Sequence, residues 1–535
     1  MRIEYSDFRG EVPARSAKLL PPNYAQTAEN VDLDMGVVKP VANLLQGDPT
    51  VWTFVDESGV DVTPANVSGV SRLLVSGLTE YPEARQGTTT RRWGVITPTT
   101  IPAFSTAGTA GDEVTDSVSY RYSYVTAWGE ESGLSDASAT TDVMTGEYII
   151  LNNFTIPTIA GSGNDVSYIR VYRTASTSDG STAYQQVPLR ETVSGTATYD
   201  IPASSISNTS TQLFDVNSSE DGLNQVLGDV QVTDGWDPPP DAAEGGIEFS
   251  NGVYALFKNK KLYLSVPGYY YAFPSSGLLD YTFEFQYDIV GLGAFSNQLV
   301  VCTEAFPAVI SGVDPQSASK TWLSYQQPCL SKKSVVSLPH GVFYVSKNGG
   351  FLVDGGENPI ITKNLFTRSQ WNEYPLSSAI CAYWQGNIYV FFSGQTYGFA
   401  IDFTSDSVIK FADIGVSVSD LFVDEEADAL YISDGTDWYK WRGGSGTLKS
   451  TYRTAPAMTG PTSFSCARIS GENLGDVTSV KVIGGDEILY LSPVATGEAF
   501  RLPGGRKKRE WCFELELDGD AEVDGMFIAQ GMNEL

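Results

Sequence analysis

Positive charge is scarce in this chain of 535 residues. There are 34 Lys and Arg against 64 Asp and Glu, a formal net charge of −30. That balance argues against a free nucleic-acid-binding surface, which works by the opposite sign. A negative wall suits a channel through which DNA slides without sticking, and it also serves plain solubility. Histidine is scarcer still, with His340 alone, at a turn before an apolar run. One imidazole makes no His-rich metal site, and with no G-x-S-x-G elbow to mark a nucleophilic serine, His340 is expected to be a turn residue rather than a catalytic one.

Cysteine is sparse and scattered. Cys302, Cys329, Cys381, Cys466 and Cys512 are odd in number and widely spaced, matching neither a metal motif nor a disulfide framework, so buried free thiols are expected. Nucleotide P-loops, calcium loops and dinucleotide fingerprints are missing, and no cofactor, metal or catalytic residue is assigned. No apolar run approaches 18 residues, so no membrane-spanning helix is expected. The opening MRIEYSDFRG has no apolar core, which predicts no secretory leader. A helical period is also wanting, apart from one possible turn at 367–372.

What is present is strand. Short β-branched and aromatic runs recur at 253–257, 261–266, 298–303, 334–338, 342–346, 350–354, 388–393, 396–403, 428–434 and 438–441. They are joined by Asn-Gly, Gly-Gly and similar pairs that accept the backbone of tight hairpins. Ten strands at this spacing predict successive antiparallel meanders, as in a propeller, barrel or sandwich. At 40–50 residues per blade, residues 251–441 would make four or five blades, with N-terminal strands raising the ring to five or six. Strand candidates there lie at Trp52–Phe54, 71–74 and 92–96.

The expected fold is all-β: a β-propeller-like main body, an inserted fibronectin- or immunoglobulin-like sandwich and a C-terminal β domain. The boundaries are 1–110 for N-terminal strands of the main body, 111–205 for the sandwich and 206–250 for a linker. The propeller-like meander spans 251–445 and the last β domain 446–535. The sandwich rests on about seven short strands in about ninety residues. The linker rests on a Ser/Asn/Asp-rich stretch ending in WDPPPD, whose prolines suit neither helix nor central strand.

Two clusters are candidate contact sites. Arg506, Lys507, Lys508 and Arg509 form the densest basic run, after a Pro-Gly-Gly turn. They suit a phosphate, an acidic neighbour or local carboxylates. Tyr269, Tyr270, Tyr271 and Phe273 suit either a subunit interface or the core between blades. Chemistry is harder to place. Glu304, Asp314, Asp354 and Glu357 lie at strand ends or in loops, and sequence cannot set the carboxylate separation that glycoside hydrolysis needs. A sialidase-like axis would want several arginines, yet Arg368 and Arg442 stand alone between 251 and 445.

Several phrases in order resemble a known family. They are AENVDLDMGVVKPV, VSYRYSYVTAWGEESGLS, VSYIRVYRTASTSDGSTAYQQV, NGVYALFKNKKLYLSVPGYYYAFP, DIVGLGAFSNQLVVCTEAFPAVISG, QQPCLSKKSVVSLPHGVFYVSKNGG and FRLPGGRKKREW, spread over most of the chain. The chain resembles tail proteins of short-tailed bacteriophages and prophages, of the tail-nozzle or tail-tubular type. The resemblance implies propellers with inserted β domains, assembled as a homohexamer below the adaptor and portal rings. Such a ring surrounds a channel that holds the genome and then lets it pass. Tail fibres or spikes attach nearby. It also implies a virion location after assembly in the host cytoplasm, DNA passing without sequence-specific binding, and no enzyme activity. Two alternatives remain: a receptor- or carbohydrate-binding tail protein, binding or cleaving glycans, with Trp371, Trp384, Trp438 or Trp441 stacking on sugars beside two carboxylates, and a secreted adhesin built of sandwich modules.

Overall fold

Gln385 and Gly386 have positive φ, 47° and 81°, so the strand Ala379–Trp384 folds straight back onto Asn387–Phe392 with Trp384 opposite Asn387. Two positive-φ residues match the right-handed twist of the strands they join, and Gly takes that conformation without strain. In Asn387–Phe392 all five residues after the first are buried. Alternation is lost because this sheet is covered on both faces, Tyr389 and Phe391 packing into one core and Ile388, Val390 and Phe392 into another. That is why these strands read in sequence as continuous apolar runs.

The computed structural model describes residues 1–47, 60–67, 69–157, 166–176, 182–207, 210–216, 226–250, 252–276, 279–312, 314–354, 360–403, 405–425 and 427–535. Trp52–Phe54, Glu357 and residues 177–181 of the expected hairpin tip lie outside them.

The main body is a six-bladed propeller. Blade 1 is Asp61–Val67, Val70–Ser76, Glu83–Gln86 and Thr89–Arg92. Blade 2 is Glu244–Ser250, Val253–Lys258, Lys261–Leu264 and Thr282–Glu284. Blade 3 is Ile289–Phe295, Gln298–Thr303, Ala308–Ser311 and Ser319–Trp322. Blade 4 is Val336–Leu338, Gly341–Ser346 and Gly349–Val353, with an added bridge from Phe351 to Ile360. Blade 5 is Ala379–Trp384, Asn387–Phe392, Gly398–Asp402 and Ser407–Phe411. Blade 6 is Asp420–Asp424, Ala429–Ser433 and Trp438–Lys440, and its outermost strand is Leu45–Gln46 from the N-terminal region. That borrowed strand ties the start of the ring to its end.

Consecutive first strands pack against each other from blade 1 through blade 6. Between blades 3 and 4 the approach leaves no room for a side chain: a Cβ on Gly293 would sit 2.3 Å from Val342 Cγ1.

The inserted domain is larger than the sequence implied. Its first sheet is Ala103–Gly108, Glu147–Asn152 and Leu213–Asp215; its second joins Tyr120–Thr126, Val166–Ser176, Thr182–Gln186 and Asp200–Pro202. The pair Val114–Val118 and Thr141–Met144 extends it. Tyr120, Tyr122, Tyr124, Leu151, Phe154 and Ile169 fill its core. The expected linker 206–250 is therefore partly structure: Leu213 is buried in the sandwich core and Glu244–Ser250 is the first strand of blade 2. Their polar neighbours hid both.

The C-terminal domain also differs from its expected bounds, because the N-terminus completes it. One sheet runs Arg2–Tyr5, Glu522–Ala529, Cys466–Glu472 and Phe500–Arg501. The other runs Ala25–Glu29, Ser450–Thr454, Lys508–Leu517, Val477–Gly484 and Glu487–Ser492, with Ala457–Thr462 beside it. Glu29 also pairs in parallel with Lys410, so this sheet continues the outer strand of blade 5. The expected turn at 367–372 is the helix Arg368–Trp371, closed by a Thr367–Gln370 capping box.

Candidate functional site

The propeller axis gathers charges from four blades. Lys332 and Lys333 sit in a 3₁₀ turn before the first strand of blade 4. Lys332 Nζ lies 2.6 Å from Asp61 Oδ2 on blade 1 and 2.8 Å from Glu244 Oε2 on blade 2. Lys333 Nζ lies 2.6 Å from Asp420 Oδ2 on blade 6. The lining of the axial cavity, about 360 Å³, includes Val60–Pro64, Gly246, Ile380, Cys381, Phe422 and Trp438, drawn from blades 1, 2, 5 and 6. Burial raises the Asp61 carboxyl above the usual range; Lys332 opposes that rise and Glu244 adds to it. Burial also works to discharge Lys332, but Asp61 and Glu244 hold its ammonium above the ordinary value. The axis is thus crossed by charge-assisted bonds rather than left open.

A second cluster seats the inserted domain on the propeller. The loop after Tyr120–Thr126 carries Trp128 and Glu130. Arg72 and Arg91 of blade 1 each place a guanidinium 4.4 Å from the Trp128 ring centre. Arg72 Nη1 donates to Tyr270 Oη at 2.7 Å, and Tyr270 Oη donates in turn to Glu130. Burial pushes the Glu130 carboxyl up to about 7, against the pull of Arg72.

That arrangement corrects one expectation. Tyr270 and Phe273 are buried between blades 1 and 2 beside Trp93, so they are core and cannot serve a subunit interface. Trp93 Nε1 donates to the Tyr270 carbonyl. Tyr271 is partly buried against the same cluster. Tyr269 is 42 % exposed, its ring 4.6 Å from that of Trp236 in the WDPPPD segment.

The basic run spans a turn and the start of the strand Lys508–Leu517, and half of it has local partners. Arg506 and Lys508 both pair with Glu487, Lys508 at 2.8 Å. Lys507 and Arg509 are exposed, and their side chains make no ion pair among the described residues. The tryptophans offered for sugar stacking are mostly interior: Trp371, Trp384 and Trp441 are buried, and Trp438 lines the axial cavity. Glu304, Asp314 and Asp354 are exposed on separate loops, and His340 is an exposed turn residue. All five cysteines are free and buried.

Sequence reasoning missed Lys332, Lys333, Asp61, Arg72, Arg91 and Glu130. A hint existed: KKS directly precedes a strand, and basic residues are rare here. Their partners lie 88 residues or more away for Lys332 and 87 for Lys333, beyond any local pattern. A further cleft of about 720 Å³ runs between the N-terminal turns and blade 5, lined by residues including Asp7, Asp34, Asp402 and Arg442. Arg442 Nη1 bonds Asp32 there at 2.8 Å.

No protein-family model matches the chain, and no curated protein matches it. Among solved structures, YCF48 from Cyanidioschyzon merolae is 13% identical over 54% of this chain and 98% of its own, with a TM-score of 0.25. PorZ, an essential surface component of the type-IX secretion system of Porphyromonas gingivalis, is 11% identical over 89% of this chain and 77% of its own, with a TM-score of 0.25. An exo-β-1,3-galactanase from Phanerochaete chrysosporium is 9% identical over 92% of this chain and 100% of its own, with a TM-score of 0.17. Likeness at these TM-scores carries no argument about the activity of this chain.

Proposed function

We propose that this chain is a structural subunit of a bacteriophage tail. Six copies form a nozzle ring around the DNA exit channel, retain the genome and let it pass during ejection. The observation that carries the reading is the braced axis. Lys332 ties blade 4 to blades 1 and 2, and Lys333 ties it to blade 6. A hub crossed in this way suits a block that keeps its shape under load. Its cavity of about 360 Å³ is far too small for a DNA duplex, so a conduit would lie between copies. The resemblance noted in the sequence and the acidic excess support the same reading, since like charge along a lumen removes the counterion-release gain of binding. In this role the chain works mechanically, with an adaptor ring above it and fibres or spikes beside it.

The test is mass in solution, by light scattering or native mass spectrometry, alone and with neighbouring tail proteins. A closed six-copy species of the 57.8 kDa chain has a mass of about 347 kDa. That species, alone or on adding a neighbour, supports the ring. A monomer under both conditions overturns it.

A further inference from the structure

Two chain edges stand open, a strand of the C-terminal domain and an extended segment of the inserted domain. The first is Glu487–Ser492, the last strand of the C-terminal sheet, which among the described residues pairs only with Val477–Gly484. It presents Ile488 and Leu491, 55 % and 63 % exposed, and Val494 follows at 45 %. Proteins usually guard such an edge with charge. Here the strand's one charged residue, Glu487, is already engaged by Arg506 and Lys508. The turn before Lys508–Leu517 and the start of that strand leave Lys507 and Arg509 exposed, so the edge is apolar with a basic flank.

The second edge is the segment 226–232 of the inserted domain. It runs beside Thr182–Gln186: Gln186 N donates to the Asp229 carbonyl and Gln231 N to the Tyr184 carbonyl, both at 3.0 Å. No strand covers its other side among the described residues. Val226 and Val232 are 81 % and 65 % exposed. Asp229 is exposed and makes no side-chain ion pair among the described residues. This edge is apolar with an acidic flank.

Their placement makes the two complementary between copies. The inserted domain leaves the ring after blade 1 and returns at blade 2, whereas the C-terminal sheet is fused to blade 5. In a ring of six, blade 5 faces away from blade 2. Contacts between opposite flanks of identical chains are head-to-tail, and they close into a ring when the rotation allows. We propose that the strand Glu487–Ser492 of one copy takes the 226–232 segment of a second copy as an added strand, with Lys507 and Arg509 beside Asp229. The inference rests on the ring reading and names its contact.

Leu491→Cys and Val232→Cys are made in separate chains and treated with a short bis-maleimide, each alone and both mixed, in the light-scattering samples. The native thiols are buried and stay silent. The expected result is a cross-linked pair of about 116 kDa in the mixture and in neither variant alone. Lys507→Glu with Arg509→Glu lowers its yield roughly tenfold. Cross-linking of Leu491→Cys with itself means edge-to-edge pairing and overturns the inference, as does no cross-link in the mixture. Light scattering separates the two ideas. A six-copy species without the 491–232 link keeps the ring and overturns this contact. A 491–232 link in assemblies that grow without closing supports the contact and overturns the ring. A monomer throughout overturns both.

Discussion

Lys332 of blade 4 meets Asp61 of blade 1 at 2.6 Å across the propeller axis, joining blades that stand opposite each other in the ring. The pair ties the ring along a diameter, beside the packing of neighbouring blades, the Lys333–Asp420 pair and the borrowed strand Leu45–Gln46. Glu244 makes the bridge three-membered, so removing the lysine leaves two carboxylates facing one another.

Lys332→Met therefore destabilises the propeller by about 1–3 kcal/mol, the range for stranding partly buried partners. Chemical denaturation of the variant checks this. Restoring stability by adding Asp61→Asn and Glu244→Gln together would show that the cost is the stranded charge. If the triple variant is no more stable than Lys332→Met, the loss lies in packing.

Trp128→Ala loosens the seat of the inserted domain. Two guanidiniums lose the aromatic face on which they rest, at a cost of about 1–3 kcal/mol for the pair. Hydrogen exchange is expected to quicken in Val70–Ser76 and Tyr120–Thr126 while blade 5 stays protected. Equal loss of protection in blade 5 would contradict a local role.

The Glu130 carboxyl gives the same seat a pH dependence. Its folded pKa of about 7 lies above its ordinary value of 4.5, so the folded chain keeps a proton that the unfolded chain releases. Stability from this group is fully present below about 4.5, falls as pH rises through the interval to about 7, and is flat above it. The whole change is at most about 3 kcal/mol. Thermal melts between pH 4.5 and 8 should show that slope, and Glu130→Gln should flatten it. An unchanged slope in the variant assigns it to another group.

Gly293→Ala tests the contact between blades 3 and 4. The added methyl must displace Val342, which lies 2.3 Å from the new Cβ, and overpacking of this kind costs about 1–3 kcal/mol. Adding Val342→Ala should recover part of the loss. If the single variant melts with the parent, the two blades are less tightly apposed than this geometry requires.

All five cysteines are buried, and burial pushes the Cys302, Cys381 and Cys512 thiols up. A thiol reagent is expected to find none of them in the native protein and five after denaturation. Rapid native reaction of one or more would contradict the packing around them.

Much of this protein is local, and that part was legible in the sequence. The all-β class, the propeller meander, the inserted sandwich, the single turn at 367–372 and the C-terminal strands follow from periodicity, β-branched and aromatic runs, and residues such as Gly386 at hairpin turns. Each depends on neighbours a few positions away. What only the tertiary structure decided depends on closure. Leu45–Gln46 completes blade 6, Arg2–Tyr5 pairs with Glu522–Ala529, Tyr270 and Phe273 fall inside a blade interface, and Lys332 meets Asp61. Those partners lie tens to hundreds of residues apart, so no spacing rule brings them together. A tyrosine at a core position reads the same in sequence as one on the surface, because burial is set by which sheet closes over it.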